Sequence, residues 1–429
     1  MTDLKAKLNR SGDLYFMLYA SGAAFSTYFC MYAFRKPFSA AQYEGLTFFG
    51  TDLELKTALA LSQLLGYTLS KYLGIRICSE RVGERRGLLL VQLIVCAFVA
   101  LGLFGVLPLQ WKWVALFLNG LPLGMVWGIC VSFLEGRRSS DALLAGLSCS
   151  FIVASGVVKD VGRWLMNGLG VSEFWMPAAT GALFLLPFFV SVWFLIQLPQ
   201  PSAEDISLRS ERTAMDHEAR WAFVRRFALG LLLLIVAYTG LTAFRDFRDI
   251  YQAELFFELG YGAGERAIFS RSELPVAFGV MLVIGLLNLV RDNQRGFFVA
   301  FGVMMVGFGL IGCATLGLEA GVLSGMGWMI GVGLGSYLAY VPYNTILFER
   351  MMAYTRFSGT AVFAIYLADA SGYTGAAALQ LYKDLFAQEA TRLGFFMNVC
   401  YLTSVLGVVL LAGSLVYFHR QRGAHADAA

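Results

Sequence analysis

Tyr32-Ala33-Phe34-Arg35-Lys36-Pro37-Phe38 closes one long apolar stretch, and Thr242-Ala243-Phe244-Arg245-Asp246-Phe247 closes another. The two arginines stand 210 positions apart. A guanidinium keeps its charge at every physiological pH, and setting one at the centre of a membrane helix costs roughly 2.5–3.5 kcal/mol on insertion scales. A cost incurred twice, at matching places, asks for a reason. The pair reads as a cationic site for an anionic ligand, at the midline of a two-fold-repeated membrane protein.

The rest of the composition agrees with a lipid solvent. Hydrophobic residues make up 58% of the chain and charged residues 14%, with a mean hydropathy of +0.65. Soluble domains run nearer 45–50% apolar and about 25% charged. The net charge of +4 is too small and too dispersed for nucleic acid. Seven cysteines lie singly in or near apolar segments, without a CxxC pair, and read as free thiols that pack. His217, His419 and His425 all fall in polar stretches, which argues against a histidine metal site or proton relay inside the membrane. No metal and no cofactor is expected.

About twelve apolar segments are long enough to cross a hydrocarbon core, which takes ~20 residues each. They lie near 14–38, 55–78, 88–107, 112–134, 141–165, 174–198, 222–246, 268–290, 297–316, 322–348, 358–382 and 393–417. The runs are continuous and do not alternate, so strands are excluded. The predicted fold class is an all-α polytopic membrane protein in two pseudo-symmetric six-helix halves. Residues 1–198 form the N-terminal half, 199–221 a charged linker that includes a short amphipathic helix, 222–418 the C-terminal half, and 419–429 a disordered tail. Lys and Arg concentrate in alternate connections, including the linker, while the opposite ones hold few, such as Lys56, Lys112 and Arg266. With an even number of spans this puts both termini in the cytoplasm.

The duplication extends past the arginines. Ser62-Gln63-Leu64 answers Ser272-Glu273-Leu274 at the same offset of 210, Leu123-Gly124 answers Leu334-Gly335, and Ala154-Ser155-Gly156 answers Ala370-Ser371-Gly372. Their common order points to a parallel repeat about an axis along the membrane normal. That is the plan of two-halved transporters, with the ligand between halves.

The loop after span two reads Gly74-Ile75-Arg76-Ile77-Cys78-Ser79-Glu80-Arg81-Val82-Gly83-Glu84-Arg85-Arg86-Gly87. A glycine turn with acid and base pairs can lock helix ends in one conformation and release them in another; plain positive-inside charge is the alternative. The stretch resembles the "GxxxDRxGRR" loop of the major facilitator superfamily, with Glu80 in place of Asp. Within that superfamily the chain is most similar to the organophosphate:phosphate antiporters, or to an uncharacterised bacterial side family. Their first span has a Tyr-x-x-Arg-Lys-x-Phe pattern, matched by Tyr32, Arg35, Lys36 and Phe38. Arg245 falls where their seventh span carries a second phosphate-sharing arginine. Gly66-Tyr67-Thr68-Leu69-Ser70-Lys71-Tyr72, Gly124-Met125-Val126-Trp127 and Ser358-Gly359-Thr360-Ala361 extend the likeness. Members that carry glycerol phosphate use a histidine in span five, where this chain has Phe151 or a neighbour, so substrate identity does not transfer.

Independently of the family, guanidinium groups fork onto carboxylate or phosphate oxygens. Arg35 and Arg245 either share an anion this way, or snorkel to headgroups or pair structurally, Arg245 with Asp249 one turn on and Arg35 with an acid from another helix. Lys36 and Arg248 are expected to face the outer vestibule. In span five, Lys159 and Arg163 share a face and Asp160 lies about 100° around; Lys159 with Asp160 either tunes the central charge or binds substrate, or forms a helix-to-helix salt bridge near the outer end. Glu273 and Asp369 are isolated acids, suited to proton uptake and release or to compensating the arginines. Tyr32, Tyr340 and Asn344 are candidate substrate contacts. Glu80, Arg81, Arg85, Arg86, Glu135 and Glu349 are candidate gates at the cytoplasmic ends.

The expected protein is a monomeric, inner-membrane secondary transporter for a small phosphorylated or carboxylated anion, working by alternating access as an antiporter, or with protons if Asp369 or Glu273 titrates. Its partners are that solute and the lipid bilayer. The alternative is a transporter-like sensor that binds an anion and signals. No nucleophile, metal or acid–base cluster converges, so an enzyme is not expected.

Overall fold

The computed structural model describes the chain except residues 1–3, 6, 9–10, 82–84, 135–139, 201–216, 263, 291, 356–360 and 427–429. The described residues are overwhelmingly helical, with one isolated bridge, Thr47 to Glu54, as their only β pairing. The helices are α1 Asp13–Tyr32, α2 Leu55–Arg81, α3 Arg86–Val106, α4 Lys112–Leu134, α5 Ser140–Leu169, α6 Met176–Ile196, α7 His217–Arg226 and α8 Ala228–Ile250. They continue with α9 Gln252–Glu258, α10 Ile268–Asn288, α11 Asn293–Glu319, α12 Gly325–Pro342, α13 Phe348–Thr355, α14 Ala361–Phe386 and α15 Arg392–Ala426. A π-helical turn, Tyr343–Leu347, joins α12 to α13. Counting those two as one, each of the twelve expected spans is a long helical segment.

Local chemistry explains several ends. Asp292 caps α11 by accepting from the Arg295 N–H at 2.7 Å, and Ser324 caps α12 by accepting from the Gly327 N–H at 3.2 Å. The first span stops early. It was expected to reach residue 38, but α1 ends at Tyr32 and a 3-10 turn, Pro37–Ala40, follows. Pro37 has no N–H to continue the ladder, and its ring clashes with a helical carbonyl four residues back. At the other end of the chain, α15 runs to Ala426, past residue 419 where disorder was expected, since no proline interrupts it.

Among the described residues, seven helices are long and apolar enough to cross a membrane on their own: α3, residues 109–134, α6, α8, α10, α11 and α15. Three of the other long helices carry several charges. α2 carries Lys56 and Lys71, α5 carries Lys159, Asp160 and Arg163, and α14 carries Asp369, Lys383 and Asp384. α2 and α5 supply several of the buried polar groups described below, among them Lys56, Gln63 and Lys159.

The chain groups into two compact units. One comprises Met1–Arg209, Asp249–Leu274 and Asp384–Phe386, the other Ser210–Arg248, Pro275–Lys383 and Ala387–Ala429. The segment Asp249–Leu274, placed by sequence in the second half, thus groups with the first unit. In the first unit, α2 and α4 run at backbone contact. A Cβ on Gly66 would lie 2.2 Å from the Phe117 carbonyl oxygen, and one on Gly120 2.3 Å from that of Gln63. The second unit repeats the device between α11 and α12, where Gly307 and Gly335 face each other's carbonyls and a Cβ on either would lie 2.6 Å from the other's oxygen. Small residues let helices approach this closely where lipid offers no hydrophobic drive to pack them.

Gly120→Ala is therefore expected to lower the thermal unfolding midpoint of the purified protein, since overpacking costs about 1–3 kcal/mol. Gly128→Ala, in the same helix with nothing within 4 Å of the added methyl, is expected to hold or raise it. Equal midpoints for the two variants would contradict the close-contact account.

Candidate functional site

Each unit holds one arginine against a tyrosine face. In the first, the half-buried Arg35 sits in the turn after α1 with its guanidinium carbon 4.0 Å from the Tyr67 ring centroid. In the second, the half-buried Arg245 on α8 lies 3.9 Å from the Tyr340 centroid and 5.8 Å from that of Tyr337. The Nε of Arg245 has no hydrogen-bond partner among the described residues. A ring face attracts a guanidinium by roughly 0.5–2 kcal/mol, which offsets only part of the cost of holding the charge there. It leaves the N–H edges of the guanidinium as the groups able to fork onto an oxyanion.

Around Arg245 the tyrosines form one cluster. Tyr340 stacks on Tyr238 at 5.5 Å, Tyr238 meets Tyr343 edge-on at 4.9 Å, and the Tyr238 hydroxyl donates to Asp369 at 2.5 Å. In the first unit Tyr32 meets Tyr28 at 5.6 Å, and Tyr28 meets Trp127 at 4.9 Å. Tyr28 and Tyr238 are themselves 210 positions apart. Sequence reasoning missed this pair, although the offset that disclosed the arginines would have found it.

A second polar cluster lies wholly within the first unit. Lys159 is fully buried and donates to the Asp249 carboxylate at 2.6 Å, to the Asp249 carbonyl at 2.6 Å and to the Gln252 amide oxygen at 3.0 Å. Lys36 forms an ion pair with the same carboxylate, and the Ser155 hydroxyl donates to it at 2.6 Å. Gln252 passes the network on by donating to Glu273 at 2.8 Å and to the Ser272 hydroxyl at 3.2 Å. Beside it, Lys56 donates to Glu254 at 2.5 Å and to the Ser39 carbonyl at 3.0 Å.

The structure corrects three expectations. Lys36 does not face an open vestibule: it is buried on Asp249. Arg248 is buried as well and donates to the Met329 carbonyl at 2.9 Å. The aspartate one turn beyond Arg245 goes to the two lysines because the chain bends at Tyr251 into α9, a fold-back that local spacing does not disclose. Asp160 does not pair with Lys159; its carboxylate accepts from the backbone N–H groups of Phe269 at 3.1 Å and Ser270 at 2.6 Å, at the start of α10. An anion there complements the helix N-terminus.

Of the candidate gates, Arg86 donates to the Ser132 carbonyl at 2.7 Å, joining α3 to the end of α4, and Arg85 is exposed. Glu135 lies outside the described residues, as do the side chains of Glu80, Arg81, Asn344 and Glu349. Asn344 belongs to the π-helical turn. Such turns occur mostly as single insertions and often at functional sites.

Residues 37–421 match the model of a family of unknown function, DUF5690. The chain belongs to that family. No curated protein matches it. Among solved structures it is similar to a D-xylose–proton symporter, at 14% identity over 94% of this chain and 97% of that one, with a TM-score of 0.61. It is also similar to a bacterial homologue of the human drug peptide transporters PepT1 and PepT2, at 14% identity over 95% and 98%, with a TM-score of 0.59. A peptide transporter, POT, in complex with sulfate matches at 15% identity over 95% of each chain, with a TM-score of 0.60. Identities this low carry the fold alone: an all-α, multi-pass membrane protein of the major facilitator type.

Asp249→Asn leaves two buried ammonium groups without their carboxylate, and breaking a buried pair costs about 3–5 kcal/mol. The variant is expected to melt well below the wild type in detergent, and adding Lys159→Met is expected to restore part of the loss. A wild-type midpoint for Asp249→Asn would show that the pair contributes nothing.

Proposed function

We propose that the chain is a secondary active transporter moving a small anionic solute, phosphorylated or carboxylated, across the inner membrane by alternating access, with both termini cytoplasmic. The observation that carries this reading is the permanently charged side chain in each repeat, Arg35 and Arg245, held half-buried against a tyrosine ring. Family likeness adds to it: the Tyr32, Arg35, Lys36 and Phe38 pattern with Arg245 resembles the organophosphate:phosphate antiporters, and the structural neighbours with the same fold are sugar and peptide transporters.

In this reading Arg35 and Arg245 bind the anion, with Tyr32, Tyr340 and Asn344 as further contacts. The anion drives the change of state because it binds the two facing conformations unequally. Lys159 contributes charge through Asp249 and Gln252. Glu273 and Asp369 are the acids assigned to coupling, since each already shares a hydrogen bond with a neutral side chain, Gln252 and Tyr238. Asp160 contributes compensating charge at the head of α10. Arg85 and Arg86, with Glu80, Arg81, Glu135 and Glu349, form the cytoplasmic gates, of which the Arg86–Ser132 bond is one. The working unit is a monomer in lipid.

A thermal-shift screen of phosphorylated and carboxylated metabolites, with inorganic phosphate as the first probe, tests the assignment. The wild type is expected to be stabilised in a concentration-dependent way. Arg35→Ala and Arg245→Ala are each expected to stay folded and lose the response. Wild-type shifts in both variants would refute their role.

A further inference from the structure

We infer that Asn119 and Gln63 are positioning residues for Arg35, holding the backbone turn that carries it through side-chain bonds to its carbonyls. This rests on the reading of Arg35 as an anion ligand. The turn is a broken helix end. Past Tyr32 the N–H groups of Phe34 and Arg35 make only tight three-residue bonds, to Met31 and Tyr32 at 3.0 Å each. Pro37 supplies no N–H, and the Ser39 N–H goes to the Lys36 carbonyl at 3.0 Å. The Arg35 carbonyl thus loses its helical donor, the Ser39 N–H, and among the described residues no backbone N–H reaches the Phe34 carbonyl; a buried carbonyl left without a partner is destabilising where water is scarce.

Two amide side chains take their place. The Asn119 amide donates to the Phe34 carbonyl at 3.0 Å and to the Ala97 carbonyl at 3.0 Å. The Gln63 amide donates to the Arg35 carbonyl at 3.0 Å and to the Asn119 side-chain oxygen at 2.8 Å. Each NH2 group therefore uses both of its protons, and the Asn119 oxygen is occupied too. Asn119 is completely buried and Gln63 nearly so. Their meeting depends on the contact between α2 and α4, because Gly120, the residue after Asn119, lies against the Gln63 carbonyl. One turn beyond Gln63 on α2 stands Tyr67, whose ring holds the Arg35 guanidinium. One helix thus fixes both ends of the arginine, its carbonyl through Gln63 and its charge through Tyr67, while α4 fixes the residue before it. The second unit needs no such device, since Arg245 lies inside the unbroken α8.

A positioning role acts through Arg35 and nowhere else, so the test is a set of mutant cycles on inorganic phosphate affinity, with phosphate-free stability recorded for every variant. Asn119→Leu is expected to weaken phosphate binding about tenfold in the wild-type background. The same weakening is expected in the Arg245→Lys background, and less than about twofold in the Arg35→Lys background. A purely structural role would shift all three backgrounds alike, and that result, or no shift in any, would overturn the inference. Should Asn119→Leu not fold, Gln63→Leu is read in the same three backgrounds with the same criteria. If Arg35→Lys and Arg35→Ala both bind phosphate as the wild type does, the failure lies in the anion assignment itself, and the positioning role falls with it.

Discussion

A guanidinium cannot be switched off by losing a proton, and this constraint organises much of what surrounds Arg35 and Arg245. A lysine in low dielectric can release its proton; an arginine has to be accommodated as a cation. The protein accommodates both on aromatic faces, with the planar group lying near 4 Å from a tyrosine centroid in each unit. That contact stabilises the charge without neutralising it. A carboxylate pressed against the same group would neutralise it and compete with any incoming anion. The one carboxylate a turn away from Arg245, Asp249, is instead taken by Lys36 and Lys159. Asp249 is thus committed to the two lysines, while each arginine lies on a tyrosine ring.

The two units reach the same arginine–tyrosine contact by different routes. Arg35 sits in the turn between the end of α1 and Pro37, and side chains from α2 and α4 satisfy the carbonyls of that turn. Arg245 sits on a continuous helix and draws its tyrosines, Tyr337 and Tyr340, from α12, immediately before a π-helical turn. The irregular backbone therefore lies beside the arginine in both units, but on the arginine's own segment in the first and on the tyrosines' segment in the second. The charge recurs at the same offset, but its aromatic support does not: Tyr67 comes from α2 and Tyr340 from α12, at positions that do not correspond.

Much of this was legible in the sequence because hydropathy and a fixed offset carry it. Twelve segments of sufficient length become twelve long helical segments, and an offset of 210 pairs the arginines. What escaped depends on contacts between residues far apart in the chain. Nothing near Lys36 announces that Asp249 will reach it, and nothing near Asp160 announces that it will cap α10. The break at Pro37 was readable from proline chemistry but was overridden by the apolar run around it. The partners of the Phe34 and Arg35 carbonyls could not be read at all, because an asparagine in an apolar span has many possible acceptors. The close contact that selects them is set by Gly66 and Gly120, which are two glycines among 46 in the chain.

The central claim is that the charge kept in each repeat serves a negatively charged passenger. The most direct measurement is counterflow of radiolabelled phosphate into proteoliposomes preloaded with unlabelled phosphate. The account predicts saturable uptake by the wild-type protein that organophosphates or carboxylates compete away, and none above empty vesicles when either arginine is removed. Binding without any exchange, or uptake indifferent to both arginines, would contradict it.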